Sequence, residues 1–388
     1  MVTGKKSLNL IKNIILNTLL VAFSIVITLL CIGIYIELFI PKHAYQSENN
    51  VDLRSKKEVL SELNSKGILA YPAIFPQLFV KNNGINGIFP LSGISNALSV
   101  HCNESGKWAI YTSDRYGFNN SDSIYNNSID TVLIGDSFTQ GACVQKNETI
   151  AAHMNERGHK TISLGMEDND PVLEYATLLE YAPVIKPKNI VWLYYEGNDL
   201  RGIPSEMQVE ILQKYFNDIN FSQDLAQKQK NTDGMLKDFI EEYDDNKNKY
   251  SNAIVSVKKI ITFYFLRQMI SGAFPDDNKK VIYDKSFEIF KDIIIRANNF
   301  AKINNQNFYF VYLPQFARYD GNKIDLDYKT QITSFIHEQN ITMIDFDDTL
   351  RNLEDPLSIF PYRKNGHYTS EGYKLVGNEI TKAIRKSE

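Results

Sequence analysis

Hydropathy along the chain falls into three regimes. Residues 14–36 are almost wholly apolar, Ile-Ile-Leu-Asn-Thr-Leu-Leu-Val-Ala-Phe-Ser-Ile-Val-Ile-Thr-Leu-Leu-Cys-Ile-Gly-Ile-Tyr-Ile. A run of that length matches the roughly 20 residues needed to cross a bilayer. Lys5, Lys6 and Lys12 precede it and Tyr35 stands at its far end. It closes on Tyr-Ile-Glu-Leu-Phe-Ile-Pro, not on the small residues of a signal-peptide cleavage site. The pattern predicts a short cytoplasmic tail over 1–13, an uncleaved single-pass transmembrane helix over 14–36 and a polar linker over 37–65. The lysines on the amino side place the large C-terminal domain outside the cytoplasm, which in a bacterium is the periplasmic side.

From residue 66 to 388 the period changes to short apolar runs alternating with amphipathic stretches, which together read as one domain. Residues 67–100 mix apolar runs with Pro and Gly and predict loop and short strand lying over the main sheet. Buried strands are predicted at 131–134, 161–164, 189–195, 308–313 and 341–346. Helices are predicted at 148–157, 171–181, 286–303, 328–339 and 369–385. Strand and helix in alternation with short connections predict an α/β fold on a parallel central sheet. Residues 204–280, rich in Lys, Gln, Asp and Glu, break that rhythm and predict a helical insertion, either a lid over the site or a surface decoration.

Composition narrows the function classes. The chain has 388 residues, 43% hydrophobic and 23% charged, with a net charge of −4, which excludes a general nucleic-acid binder. With 22 Tyr and 22 Phe it has the means to build a core. Of its 3 Cys, Cys31 lies in the apolar run, leaving Cys102 and Cys143 free to pair outside the cytoplasm. No CxxC or His/Cys cluster calls for a metal, and no cofactor is expected.

The chemistry gathers where predicted strands end. Gly135-Asp136-Ser137, Gly165 and Gly197-Asn198-Asp199 each follow a strand, and in a parallel sheet those ends share one edge. Together they supply a hydroxyl, a backbone N–H and a side-chain amide. A serine nucleophile needs donors for the oxyanion that develops on its substrate, and it needs a base. Of the 6 His, His43 is juxtamembrane and His101 lies in an irregular region. His153 and His159 are expected at the surface, and His337 sits in an amphipathic helix. His367, alone in the loop Lys364-Asn-Gly-His-Tyr-Thr-Ser-Glu-Gly372 before the last helix, is the candidate base.

These pieces resemble the SGNH/GDSL family of serine esterases and acyltransferases. Gly135-Asp136-Ser137-Phe138 is similar to the block carrying the nucleophile, Gly165 to the oxyanion glycine, Gly197-Asn198-Asp199 to the block with the oxyanion asparagine, and His367 to the block with the base. Ser113-Asp-Arg-Tyr-Gly-Phe-Asn119 and Glu-Gly-Asn-Asp199 look like membrane-anchored members associated with bacterial surface polysaccharides. The resemblance implies a flavodoxin-like three-layer α/β/α domain of the SGNH type, and a membrane-anchored esterase acting on acyl esters, such as O-acetyl groups of an acylated carbohydrate. Its alternatives are an O-acyltransferase with a membrane partner supplying the acyl donor, or a degenerate glycan-binding domain. In one respect the chain departs from the family. The Asp usually found two or three residues before the histidine is replaced by Asn365 and Lys364. That leaves Asn365, Asp355, Asp348 or Asp347 to support His367, or a Ser–His dyad.

Overall fold

The computed structural model describes residues 51–249, 277–321, 324 and 326–387, with positions 17–18, 20–21, 23–25, 27–28 and 31. The chain divides into two compact units. The smaller, Met1–Ser47 with Ile240–Asn278, has few described residues. Most of the predicted span over 14–36 lies outside them. The positions described within it are helical and exposed, among them Leu20, Val21, Phe23, Ile25 and Ile27. Among the described residues no helix is long and apolar enough to cross a membrane. Residues 250–276 of the predicted insertion are likewise outside the description.

The larger unit, Glu48–Phe239 with Lys279–Glu388, holds everything that follows. It opens with helix α1 (Lys56–Ser65), capped by Ser55 and Glu58, and strands β1 (Ala70–Pro72), β2 (Leu98–Val100) and β3 (Ile110–Thr112). Instead of merely covering the main sheet, 67–112 builds a three-stranded sheet of its own, in the order β1-β2-β3, with β2 and β3 antiparallel. Residues 101–109 are the loop of the β2–β3 hairpin, closed at its base by His101 N–H to Ala109 O at 2.9 Å and Ala109 N–H to Cys102 O at 2.8 Å. Residues 51–54 lie along that loop. Asp52 N–H donates to Gly106 O at 2.8 Å, Asn103 Nδ2 to Asp52 O at 2.8 Å and Trp108 Nε1 to Arg54 O at 3.1 Å.

The main sheet has strands β4 (Thr131–Ile134), β5 (Thr161–Ser163), β6 (Asn189–Tyr195), β7 (Asn307–Leu313) and β8 (Thr342–Asp345). Their order is β5-β4-β6-β7-β8 and every pairing is parallel, with Thr131 opposite both Thr161 and Asn189. The sheet is parallel, as the alternation predicts, its order is flavodoxin-like, as the resemblance implies, and each predicted strand agrees within two residues. The chain leaves β4 to either side, so the crevice at its carboxyl end is the topological switch point where such sheets bind ligands.

The helices are α2 (Ser137–Gln140), α3 (Ile150–Glu156), α4 (Pro171–Ile185), α5 (Ile203–Glu206), α6 (Glu210–Asn217), α7 (Leu225–Lys249), α8 (Asp277–Ile303), α9 (Lys329–Glu338), α10 (Phe346–Arg351) and α11 (Ser370–Ser387). Side chains alternate between the two faces of the sheet, as a pleated strand requires. Leu133, Val191, Leu193, Tyr309, Val311 and Leu313 pack with Ile150 and Met154 of α3 and Tyr373, Val376 and Ile380 of α11. On the other face Tyr194 and Phe310 meet Phe290 of α8, at ring separations of 5.1 and 6.2 Å.

Two buried glutamates organise α4 and the insertion. The Glu206 carboxylate accepts from the N–H groups of Asp170, Val172 and Leu173 at 3.0–3.1 Å, placing an acceptor on the orphan donors of the α4 N-terminus. Glu180 accepts from Gln223 N–H at 2.9 Å, from the Ser222 hydroxyl at 3.0 Å and from the Tyr215 hydroxyl. The part of the insertion within this unit, 204–239, therefore packs on α4. It also reaches the accessory layer, where Ser95 N–H donates to Asp233 at 2.8 Å.

Leu193 is fully buried in the centre of the sheet. Leu193→Ala is expected to lower unfolding stability by about 2–5 kcal/mol, through lost burial and the cavity left behind. Denaturant titration of the variant against the parent chain measures it.

Candidate active site

Ser137 begins α2, immediately after β4 and the Gly135-Asp136 turn. Asp136 is the N-cap, and its carboxylate accepts from Phe138 N–H at 2.8 Å. This cap turns the chain so that Ser137 faces the carboxyl edge of the sheet. Gly165, at the end of β5, packs directly on the turn. A Cβ there would lie 2.5 Å from Gln140 N and 2.7 Å from Asp136 O, so only glycine admits this approach.

His367 reaches the same edge from the loop before α11. Its Nε2 lies 2.8 Å from Ser137 Oγ, and the ring packs against Phe138 at 4.9 Å. Phe138 is in turn stacked on Tyr195 at 4.0 Å. Behind the imidazole stands Glu104, from the tip of the β2–β3 hairpin. Its Oε1 is 3.0 Å from His367 Nδ1, and its Oε2 accepts the His367 backbone N–H at 2.7 Å. Gly366 makes room for it, because a Cβ there would lie 2.8 Å from Glu104 Oε2. Serine hydroxyl, imidazole and carboxylate stand in line, the arrangement in which a base takes a serine proton and a third group orients the base.

None of the residues considered near His367 is its partner. Asn365 is exposed and Asp348 is exposed on α10. Asp355 caps the turn at Leu357 and pairs with Arg363. Asp347 is taken by Tyr319, Lys329 and Arg351. His153, expected at the surface, is buried, with Nδ1 3.4 Å from Glu156. His101 is also buried, and its Nε2 is 2.8 Å from Glu167.

Both predicted oxyanion donors lie beside the nucleophile turn, and both have partners within the protein. Gly165 N–H donates to Ser163 Oγ at 3.1 Å, so an oxyanion would compete with that hydroxyl for it. The Asn198 side chain faces Asp136 and favours its charged form. A side-chain amide carries two N–H donors, so that contact leaves a second. The loop carrying Asn198 is fixed on both sides. Asp199 accepts Tyr195 N–H at 2.7 Å, and Glu196 accepts Gln315 N–H at 3.0 Å while pairing with half-buried Arg318.

The 113–119 stretch has a structural role. The buried Asp114 carboxylate gathers the N–H groups of Tyr116 and Phe118, the Asn120 amide and the Tyr125 hydroxyl. Asn119 then donates to Gln140 O at 3.0 Å and Asn120 to Ser163 O at 2.8 Å. The motif braces α2 and β5 from behind.

Cys102 and Cys143 are joined in a disulfide with Cα atoms 4.9 Å apart. With 41 residues of sequence separation, the closed loop removes unfolded-chain entropy worth about 4 kcal/mol in the simplest account. Among the described residues, the one set of ligand atoms close enough to share a metal ion is Glu104, Cys143 and His367. It is a poor donor set, because the sulfur is held in the disulfide and the other two groups bond each other.

Charge in the site is predominantly negative. Burial alone would depress the His367 pKa, but the hydrogen bond and charge of Glu104, with the charges of Asp136 and Glu167, hold it above the ordinary imidazole value of 6.5. Burial pushes Glu104 up, and His367 more than reverses that, leaving it below the usual glutamate value. Removing the carboxylate removes the larger of the raising influences. In Glu104→Gln the His367 pKa is therefore expected to fall, read by NMR titration of the labelled imidazoles. An unchanged titration would contradict the contact.

No protein-family model and no curated protein matches the sequence. The fold is similar to several solved structures. One is a protein described as lipolytic and of the G-D-S-L family from Desulfitobacterium hafniense, 15% identical, covering 66% of this chain and 99% of that one at a TM-score of 0.37. Another is a GDSL-like lipase from Bacteroides thetaiotaomicron, 13% identical over 70% and 92% of the two chains at a TM-score of 0.35. A lipase/acylhydrolase from Enterococcus faecalis is 11% identical over 67% and 96%, at 0.34. At such distances the likeness carries no function across, and the reading of the site rests on its own geometry.

Proposed function

We propose that this chain is a serine ester hydrolase. The observation that carries the reading is the continuous line of contacts from Ser137 Oγ through His367 to Glu104, at 2.8 and 3.0 Å. In the reaction Ser137 Oγ attacks the acyl carbon while His367 Nε2 takes its proton. Glu104 keeps Nδ1 protonated and stabilises the imidazolium that forms. The Ser137 N–H and the second Asn198 N–H meet the oxyanion, joined by Gly165 N–H as it leaves Ser163. The tetrahedral adduct collapses when the alkoxide leaves with the proton from His367. Water, deprotonated by the same imidazole, then frees the acyl group and regenerates Ser137.

The narrower reading is a membrane-anchored esterase of O-acetyl groups on a surface polysaccharide. Its supports are the apolar run at 14–36 and the resemblance of Glu196-Gly-Asn-Asp199 to such proteins. The brace formed by 113–119 adds nothing to that substrate assignment, because its polar groups are spent within the fold. Transfer to a sugar hydroxyl shares the acyl-enzyme and differs only in what accepts the acyl group. Glu104 supplies the acid absent from the positions before His367, which speaks against a degenerate glycan-binding domain.

Turnover of p-nitrophenyl acetate by the full chain tests the proposal. Ser137→Ala is expected to abolish turnover and labelling by a fluorophosphonate, and Glu104→Gln to lower kcat by roughly 10²–10⁴-fold. The acid limb of the rate profile reports the neutral fraction of His367. It is expected to lie above pH 6.5 in the parent, because the base must be deprotonated and its pKa is raised. Turnover that survives in Ser137→Ala, with no labelled serine, would refute the reading. Acetate released into water, against acetate found on a glycan acceptor, separates hydrolysis from transfer.

A further inference from the structure

The acid of the site comes from outside the α/β sheet. Glu104 sits two residues after Cys102 in the hairpin loop, and Cys143 sits six residues after Ser137. The disulfide between them closes a circuit. It runs from Ser137 along the chain to Cys143, across to Cys102, on to Glu104, and back through His367 to Ser137 Oγ. Cys143 Sγ lies 3.8 Å from His367 Nδ1, the same nitrogen that faces Glu104. Cys143 also adopts a left-handed backbone, φ 61°, in which a non-glycine residue is held only by its surroundings.

The hairpin has other ties to the main domain: beside Cys102, His101 Nε2 lies 2.8 Å from Glu167, and on β3 the Tyr111 hydroxyl accepts from Gln140 Nε2 at 3.2 Å. Gln145 Nε2 donates to Trp108 O at 3.2 Å and Lys146 Nζ to Thr112 O at 2.7 Å, both beyond the loop tip. Asp52 and Asn103 join the tip to 51–54, away from the nucleophile. Among the described residues, both hydrogen bonds of the Glu104 side chain are with His367. A partly exposed ion pair of this kind is too weak to order a loop against solvent by itself. A covalent link two residues away keeps the Glu104 Cα within about 7 Å of the bridged Cys102 Cα and so keeps the effective concentration of its carboxylate at the imidazole high.

We infer that the Cys102–Cys143 disulfide is a positioning element of the reaction, which sets the Glu104 carboxylate on His367 Nδ1 and without which a Ser137–His367 pair is left unsupported. The inference rests on the esterase reading for its kinetic test and stands apart from it for its spectroscopic one. The charged groups facing His367 are Glu104 from the hairpin, Asp136 from the nucleophile turn, and Glu167 and Asp168 after β5. Of these, only Glu104 is tethered through the bridge.

A dithiol converts the bridge to two thiols and is itself oxidised to a cyclic disulfide, so the folded full chain can be opened without mutation. Mass mapping confirms which cysteines are free. Reduction is expected to lower kcat on p-nitrophenyl acetate by roughly 10²–10⁴-fold with little change in KM, to move the acid limb to lower pH, and to be reversed on reoxidation. The same treatment of Glu104→Gln is expected to change neither rate nor limb. Cys102→Ser with Cys143→Ser should reproduce the reduced chain where it folds. A reduced chain with parental kcat and limb overturns the inference. So does an equal loss in Glu104→Gln, which would make the bridge a general brace. If Ser137→Ala proves as active as the parent, the esterase reading fails separately. The His367 titration followed by NMR in the Ser137→Ala chain still decides the tether: a pKa that falls on reduction supports it, and one that stays overturns it.

Discussion

An imidazole can take a proton from a serine only when its other nitrogen is committed as a donor. That demand on His367 Nδ1 organises the site. The ring is held between Ser137 at Nε2 and Glu104 at Nδ1, with Phe138 beneath it. Three segments must meet for this, and each is positioned by a different device. The nucleophile is fixed by a strand end and an N-cap, the base by the loop into α11, and the acid by a hairpin from a second sheet. The main sheet delivers two of the three, and the third depends on contacts that no α/β rule supplies.

The electrostatics follow the same division of labour. Asp136, Asp170, Glu174, Asp199 and Glu206 are all buried near the carboxyl edge, and burial pushes each of them upward. Backbone N–H groups, not cations, satisfy Glu206 and part of Asp170 and Asp199. Burial thus holds these groups toward their neutral forms, so the negative field at His367 comes from Glu104, Asp136 and Glu167, and it favours a positive imidazole and disfavours an oxyanion. The negative field therefore helps one half of the charge separation in the transition state and leaves the other to local donors. Asn198, which faces Asp136, stands at the junction of the two effects.

The parallel sheet was legible because its strands are buried on both faces and read as unbroken apolar runs. Ser137, Gly165, Asn198 and His367 were legible because a parallel sheet gathers its strand ends. Glu104 was not. It is 263 residues from His367 and belongs to a hairpin whose strands have three residues each, too short to show a period. Looking two or three residues before the histidine led to Asn365 and Lys364, which carry no negative charge. The usable signal was Cys102, because a bridge to Cys143 brings whatever lies beside it to the nucleophile turn. The 113–119 stretch shows the opposite failing. It resembles a functional motif, yet its polar groups are consumed in bracing α2, which only the contacts of buried Asp114 reveal.

Residues 51–54 have a bearing on how the catalytic part can be handled apart from the rest of the chain. They precede the first helix and look like the tail of a linker, a natural place to cut. Yet their backbone carries Gly106, Asn103 and Trp108, the residues around Glu104. A fragment begun at α1 would keep the sheet, the serine and the histidine while stripping one wall from the hairpin that brings the acid. The functional boundary of the domain thus lies upstream of its first regular element, and a shortened chain must start before Asp52 to represent the whole site.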